Sequence, residues 1–174
     1  MDSLDILSGN QGNDFIFAGG GDDRLFGNSG NDFLFGGSGR DNLVGNQGRD
    51  FLKGGQERDF LRGGGGKDFR VGDEGSEIFI LQPGKGTDII ADFENGVDLL
   101  ELIPNPVFAD ITANLENGIY LPGPLPSLDF DEIQISQVGE DTAIGNGNQV
   151  FTLLRGIDAN TIGADDFTIV EIVV

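Results

Sequence analysis

An acidic residue recurs every nine positions through the first half of the chain, and this spacing constrains the fold more than any other feature. Around each acid the residues follow the pattern Gly-(Gly or Asn)-x-Gly-x-Asp-x-(Leu or Ile)-x, as in residues 27–35. The acids are Asp5, Asp14, Asp23, Asp32, Asp41, Asp50, Asp59 and Asp68, with Glu77 in the next place. A nine-residue period is too short for helical repeats and is typical of a parallel β-roll.

Each repeat divides into a turn and a strand. The six glycine-rich residues are predicted to turn, because glycine tolerates positive φ and lets backbones approach closely, and the last three residues are predicted to form a short strand. The middle residue of each strand should point inward and build the core. This series is Leu7, Ile16, Leu25, Leu34, Leu43, Leu52 and Leu61, which Arg70 interrupts and Phe79 resumes.

Two repeats complete one coil, so alternate turns should stack along the same edge of the roll. One edge is predicted to carry Asp14, Asp32, Asp50 and Asp68. The other edge is predicted to carry Asp5, Asp23, Asp41, Asp59 and Glu77. Two parallel rows of carboxylates are therefore expected.

The charge and composition of the chain limit the kinds of partner and activity that it can have. It has 174 residues with 30 acids and 10 bases, a net charge of -20, which argues against nucleic acid or an anionic membrane and favours cations. Apolar runs do not exceed about 8 residues, against roughly 20 for a membrane span, so no span is predicted. There is no histidine or cysteine, and the usual catalytic sets are missing, so an enzyme is not expected. The first residues also lack the pattern of a signal peptide.

The carboxylate rows predict calcium binding. Stacked strands lie about 4.8 Å apart, so successive carboxylates on one edge repel unless a cation lies between them. Calcium takes about six to eight oxygen ligands, and a glycine turn offers backbone carbonyls beside each carboxylate. The neighbouring turns 14/32, 32/50, 50/68, 23/41, 41/59 and 59/77 predict about six ions. Six ions would reduce the net charge to roughly -8, so folding without them should be strongly opposed.

The second half of the chain loses the period. Gly84, Gly86 and Asp88 restate the turn after a two-residue insertion, and residues 89–93 and 97–102 alternate around a turn at 94–96. Five prolines then indicate irregular loops through residues 103–127. Strands are predicted at residues 133–138, 142–144, 149–154 and 167–174, with a hairpin turn at 145–148 and a short helical turn at 158–162.

These patterns predict an all-β fold of two parts. Residues 1–102 are expected to form the parallel β-roll, which is a β-solenoid, and residues 103–174 an antiparallel β cap over its open end.

Phenylalanines form a second periodic feature. Phe15, Phe33, Phe51 and Phe69 recur every 18 residues beside the inward position, joined on the same sheet by Phe17 and Phe35. They should point outward and form an apolar stripe that something covers. The sequence leaves four coverings open, which are packing by the cap, a partner protein, a second copy of the chain, or a polysaccharide stacking on the rings.

The nonapeptides resemble those of the RTX family of calcium-binding secreted proteins, over about half of the chain. Residues 88–93 and 96–100 are similar to the segment that closes the roll in secreted proteases and in cyanobacterial RTX proteins. Residues 139–144 and 154–157 resemble the usual carboxy-terminal hairpin. The resemblance therefore extends beyond the repeats into the cap.

The resemblance implies a ligand set. In the family, the Asp of each turn bridges two ions, and carbonyls from the first four places of the turn complete the shell. The implied acidic ligands are Asp5, Asp14, Asp23, Asp32, Asp41, Asp50, Asp59, Asp68, Glu77 and Asp88. The turn residues implied with them are Gly12, Gly21, Gly27, Asn28, Gly30, Gly36, Gly39, Gly45, Gly48 and Gly54. Because Glu57, Arg70 and Glu77 depart from the repeat, the ions nearest Asp59 and Glu77 should be the weakest.

The resemblance also implies a route out of the cell. Family members leave Gram-negative cells through a type I exporter that reads an uncleaved carboxy-terminal signal, and residues 171–174 resemble such an ending or are the last strand of the cap. The sequence therefore predicts a secreted, extracellular calcium-binding module that folds once outside. The alternative is a calcium-dependent polysaccharide-binding or adhesive module of a larger extracellular protein. No protease, lipase or pore-forming segment accompanies the repeats.

Overall fold

The structure is a computed structural model that describes residues 3–82, 86–102, 133–146 and 149–169. These residues are all-β except for two 3-10 turns, Ala159–Thr161 and Ala164–Asp166, and neither turn is long enough to cross a membrane. The strands of the repeats are β1 (Ile6–Gln11), β2 (Phe15–Gly20), β3 (Arg24–Ser29), β4 (Phe33–Ser38), β5 (Asn42–Gly48), β6 (Phe51–Gln56), β7 (Phe60–Gly66), β8 (Phe69–Glu74) and β9 (Ile78–Leu81). The later strands are β10 (Asp88–Ile90), β11 (Leu99–Leu102), β12 (Ile133–Val138), β13 (Asp141–Asn146), β14 (Gln149–Leu154) and β15 (Phe167–Ile169).

Successive strands alternate between two sheets, which confirms the predicted β-roll. One sheet has the order β1-β3-β5-β7-β9-β11-β15, and the other has the order β12-β13-β14-β10-β8-β6-β4-β2. Pairing within the repeats is parallel and joins residues 18 apart, as in Leu7↔Leu25 and Leu25↔Leu43. Two nonapeptides therefore make one coil, as the acid spacing predicts.

The strands of the repeats are longer than the three residues predicted from the sequence. Strands β1 to β8 have six or seven residues, because the ladder continues into the first residues of each glycine-rich segment. Asn10, Asn28 and Asn46 pair with one another in this ladder although their φ angles are 72°, 76° and 76°. Since neighbouring coils share the same backbone conformation, they can hydrogen-bond even where that conformation is not extended. The turn itself is therefore confined to a few residues around each acid.

The inward series forms the core as predicted. Leu25, Leu34, Leu43, Leu52 and Leu61 are fully buried, and burial of each contributes about 2 kcal/mol. Leu7 and Ile16 are partly buried and pack against this cluster at the beginning of the roll. Arg70 also takes its place inside, between the coils of Leu52 and Ile90, so the period of the backbone persists where the apolar pattern breaks.

The cap continues the two sheets at the carboxy-terminal end of the roll. Strands β12, β13 and β14 are antiparallel to one another, and β14 then pairs in parallel with β10. Strand β15 pairs in parallel with β11, and Phe151 and Leu154 of β14 join the leucine core. The predicted antiparallel region at the carboxy-terminal end is thus confirmed for β12 to β14, whereas β15 is parallel to β11. These strands prolong the core of the roll.

The structure agrees with part of what the sequence predicts for residues 89–174. The strands at 133–138 and 149–154 match, and the helical turn predicted at 158–162 contains the 3-10 turn Ala159–Thr161. The segments around the turn at 94–96 contribute strands to opposite sheets, β10 and β11. The boundary between residues 102 and 103 stays a prediction. The loops at 103–127, Gly84, and the ending at 171–174 lie outside the described residues.

Candidate metal centre

The structure brings the predicted acids into two rows, one on each edge of the roll. The first edge carries Asp14, Asp32, Asp50, Asp68 and Asp88, and the second edge carries Asp5, Asp23, Asp41, Asp59 and Glu77. Six of them, from Asp23 to Asp68, are buried, as are Glu77 and Asp88. Among the described residues, no three or more acidic side chains converge closely enough to hold a metal ion by themselves, so a cation in a row would need other ligands as well.

One oxygen of each carboxylate from Asp23 to Asp68 is held by the preceding coil. On the first edge, the backbone N–H groups of Asp14, Asp32 and Asp50 donate to Oδ1 of the acid one coil later, at 2.8, 2.9 and 2.9 Å. On the second edge, Asp5, Asp23 and Asp41 donate in the same way at 2.7, 2.8 and 2.8 Å. These bonds hold the six accepting side chains in one orientation.

In eight of the ten acids of the rows, one carboxylate oxygen is buried without a hydrogen-bond partner. This holds for Oδ2 of Asp14, Asp23, Asp32, Asp41, Asp50, Asp59 and Asp68, and for Oε1 of Glu77, all of which are buried. A buried anionic oxygen without a partner costs several kcal/mol, because it has lost its hydration. Eight such atoms at equivalent places in successive turns fit a cation that supplies the missing interaction.

The first glycine of each turn makes room beside the carboxylate. Asp32 Oδ2 lies against Gly27, and a Cβ on Gly27 would also lie 2.8 Å from the carbonyl oxygen of Gly45 in the next coil. The same arrangement recurs at Gly36 and Gly45, and at Gly54 the Oδ2 of Asp59 takes the same place. Only glycine, which has no Cβ, leaves room at this place for both the carboxylate and the carbonyl oxygen. Both groups are ligands that calcium prefers.

The fourth place of the turn also favours glycine, and Glu57, which replaces it in one turn, keeps a positive φ of 75°. Gly30, Gly39 and Gly48 have φ angles of 137°, 111° and 129°, and each packs against the carbonyl of the equivalent glycine one coil earlier. The predicted turn residues Gly12, Gly21 and Asn28 likewise have positive φ. Of the predicted turn residues, Gly27, Gly36, Gly45 and Gly54 lie beside a carboxylate of a row. The assignment of the turn residues as calcium ligands stays a prediction.

Burial makes the charged form of the rows unfavourable. It raises the pKa of Asp50 to about 6 and the pKa values of Asp59 and Asp68 to about 7. The accepted backbone hydrogen bonds oppose these shifts, and neighbouring carboxylates add to them. Burial also raises the pKa of Glu77 to about 8, with further contributions from Asp98.

These pKa shifts make the stability of the cation-free roll and the binding of a cation depend on pH in opposite directions. Because the pKa values are higher in the fold than in the unfolded chain, protonation stabilises a cation-free roll, and this stabilisation is lost as pH rises through about 6 to 8. A bound cation must displace those protons, so its binding weakens as pH falls through the same range.

The ends of the two rows differ from their middles. Asp5 is only partly buried, and its Oδ1 accepts from Ser3 Oγ at 3.3 Å. Asp88 accepts from the Asp68 N–H at 3.1 Å like the other acids, but its Oδ2 lies 3.2 Å from Arg70 Nη2. Asp88 is therefore in the predicted row, with its second oxygen already paired.

Sequence reasoning missed Asp98, which continues the second edge. Its Oδ1 accepts from the Glu77 N–H at 2.9 Å, and its Oδ2 accepts from the Glu94 N–H at 2.8 Å. The signal was present, because Asp98-Leu99-Leu100 repeats the Asp-x-Leu pattern. The separation of 21 residues from Glu77, instead of 18, concealed it.

The phenylalanine stripe points outward as predicted. Ring centroids lie 5.6, 5.8 and 5.7 Å apart along the series Phe15, Phe33, Phe51 and Phe69. Phe15 and Phe17 are 61% exposed and Phe33 is 46% exposed. The described part of the cap joins the other end of this sheet, beyond β10, and does not cover these rings. Residues 103–132 lie outside the described residues, so the packing interpretation stays a prediction for them.

A groove of about 720 Å³ opens beside the stripe on the same sheet. Phe17 and Phe35 line one end, and their rings stack at 4.5 Å. The other end is polar and contains an ion pair between Lys53 Nζ and Asp73 Oδ2 at 2.7 Å. The polar lining residues are Lys53, Gln56, Asp73, Glu74 and Asp92.

The repeats of the first half of the chain match a known protein family. A family model described as the RTX calcium-binding nonapeptide repeat (4 copies) matches residues 2–34 and 35–69. A search of curated protein sequences finds no match.

Eleven solved chains match this chain, including the following two. One is the solution structure of the AlgE6R3 subunit of the Azotobacter vinelandii mannuronan C5-epimerase, with 23% identity and a TM-score of 0.41, covering 97% of this chain and 80% of that chain. The other is the crystal structure of the extracellular lipase LipA from Serratia marcescens, with 14% identity and a TM-score of 0.41, covering 96% of this chain. This chain spans 38% of the lipase chain.

Proposed function

Because residues 2–69 of the chain belong to the RTX calcium-binding nonapeptide repeat family, we propose that the protein is a module that folds as its turns bind about six calcium ions. The observation that carries this proposal is the set of buried carboxylate oxygens without partners on both edges. The function is binding rather than catalysis.

The acids of the two edges would hold the ions, together with carbonyls of the glycine-rich turns. Calcium supplies the positive charge that lets these carboxylates ionise while buried. At a net charge of -20, the chain without cations repels itself, and ion binding contributes free energy to folding. The geometry thus supports coupling of folding to calcium.

This coupling suits a secreted protein. In a cytoplasm with little calcium the chain would stay unfolded, and it would fold in the extracellular medium after export. The proposed exporter is of type I and would read the carboxy-terminal residues. This part of the proposal rests on the resemblance described above, because residues 171–174 lie outside the described residues.

Removal of calcium is expected to unfold the roll. With excess chelator at pH 7.5, the β signal in far-ultraviolet circular dichroism should be lost, and millimolar calcium should restore it. Magnesium at the same concentration serves as the control, because it demands octahedral geometry and dehydrates reluctantly, so it should restore little of the signal. A chain that stays folded in chelator, or that magnesium restores equally well, would contradict the proposal.

A second candidate function is calcium-dependent binding of a polysaccharide. The groove beside the phenylalanine stripe favours it, because exposed rings at one end and polar groups at the other match the two faces of a sugar. The net charge favours a neutral polymer, or an anionic one bridged by calcium.

A glycan array tests this candidate. Binding is expected in calcium and should be lost in the variant Phe17→Ala, whose ring lines the groove. Val138→Ala is the control, because Val138 is an exposed apolar residue on β12, at the other end of the sheet. The candidate fails if the calcium-loaded protein binds no glycan, or if the two variants bind alike.

A further inference from the structure

Arg70 occupies a place that the repeat gives to leucine. The equivalent residues one coil away on either side are Leu52 and Ile90, and all three side chains are fully buried. A charged side chain is almost never fully buried without a partner. Arg70 must therefore be held by specific interactions inside the roll.

Two nitrogens of the guanidinium meet oxygen atoms, and Nε is buried without a hydrogen-bond partner. Nη2 lies 3.2 Å from Asp88 Oδ2, and Nη1 donates to the carbonyl of Ile80 at 2.8 Å and to that of Leu61 at 3.5 Å. A carboxylate and backbone carbonyls are also the groups that calcium takes as ligands. Arg70, from inside the roll, thus places a positive charge beside a carboxylate and backbone carbonyls, as a calcium ion would.

Asp88 differs from the earlier acids only in its second oxygen. Its Oδ1 accepts from the Asp68 N–H, as the row requires. In Asp14, Asp32, Asp50 and Asp68 the second oxygen has no partner, whereas in Asp88 it is paired with Arg70. Arg70 also acts favourably on Asp68, whose pKa it lowers against the larger effect of burial. The arginine charge therefore acts on both acids of the 68/88 step.

We propose that Arg70 is an internal cation that takes the place of calcium at the 68/88 step, so that the calcium row of the first edge ends at Asp68. This inference rests on the proposed calcium binding in the other turns. It means that the coil beside the cap has its charge compensated within the chain, whatever the calcium concentration. It also means that Asp88 is a member of the row without being a calcium ligand.

The variant Arg70→Leu tests the proposal, because leucine is the usual residue at this place and the change frees Asp88. Native mass spectrometry in calcium is expected to count one more ion per chain in Arg70→Leu than in the wild type. The single variant Asp88→Asn should keep the wild-type count, because Asp88 binds no calcium there. The double variant Arg70→Leu/Asp88→Asn should lose the additional ion.

Each outcome distinguishes this inference from the proposed function. If the wild type binds several ions and Arg70→Leu binds the same number, the inference is wrong while calcium binding stands. The loss of an ion in Asp88→Asn would also overturn it, and this measurement decides the matter if Arg70→Leu does not fold by circular dichroism. A wild type that binds no calcium would overturn the proposed function and the inference together.

Discussion

Gly48→Ala is expected to prevent folding of the roll even in saturating calcium, whereas Gly12→Ala should cost only about 1 to 3 kcal/mol. Both glycines occupy the fourth place of a turn and have positive φ, 129° and 117°, so both substitutions carry a similar backbone strain. A Cβ on Gly48 would overlap the carbonyl of Gly30 in the preceding coil, whereas a Cβ on Gly12 meets nothing within 4 Å. The difference arises because Gly12 belongs to the first coil, which has no preceding neighbour.

The comparison of these two variants isolates coil stacking from backbone strain. Circular dichroism and urea unfolding in calcium should show an unfolded Gly48→Ala and a folded Gly12→Ala with a modestly lower free energy of unfolding. Equal losses in the two variants would mean that the left-handed backbone, and not the contact between coils, accounts for the glycine requirement.

Asp50→Asn is expected to raise the calcium concentration at the midpoint of folding by about tenfold or more, and to reduce the number of bound ions. Asparagine keeps the size of aspartate and can still accept from the Asp32 N–H, which is a bond of 2.9 Å in the structure. It lacks the negative charge, and Asp50 is a member of both the 32/50 and the 50/68 steps. Calcium titration followed by circular dichroism, with ion counting by native mass spectrometry, measures both effects.

Asp22→Asn is the matched control for the loss of one charge. Asp22 precedes the row acid Asp23, is exposed, and accepts from the Arg40 N–H at 2.9 Å through Oδ1. Its substitution removes the same charge from the surface without touching a row, so the midpoint should move by less than about twofold. Similar shifts in Asp50→Asn and Asp22→Asn would show that net charge, and not the buried row, controls folding.

The period of nine was sufficient to predict the parallel roll, the inward leucines and the two rows of acids. A repeated local pattern produces repeated local structure, so each coil presents the same residues to its neighbours, and Asp14, Asp32 and Asp50 must align. The outward phenylalanines followed from the same alternation. The amino-acid sequence by itself therefore determined the fold of the repeats and the chemistry of their turns.

Only the tertiary structure decided what happens where the period changes. The place of Asp98 in the second row and the parallel pairing of β14 with β10 join residues at irregular separations. Asp88, which pairs with Arg70, likewise lies 20 residues after Asp68 instead of 18. The structure also distinguished the two oxygens of the carboxylates from Asp23 to Asp68, since one accepts from a backbone N–H and the other has no partner. These features depend on contacts between residues that are distant in the sequence. A repeat predicts such contacts only while its spacing stays constant.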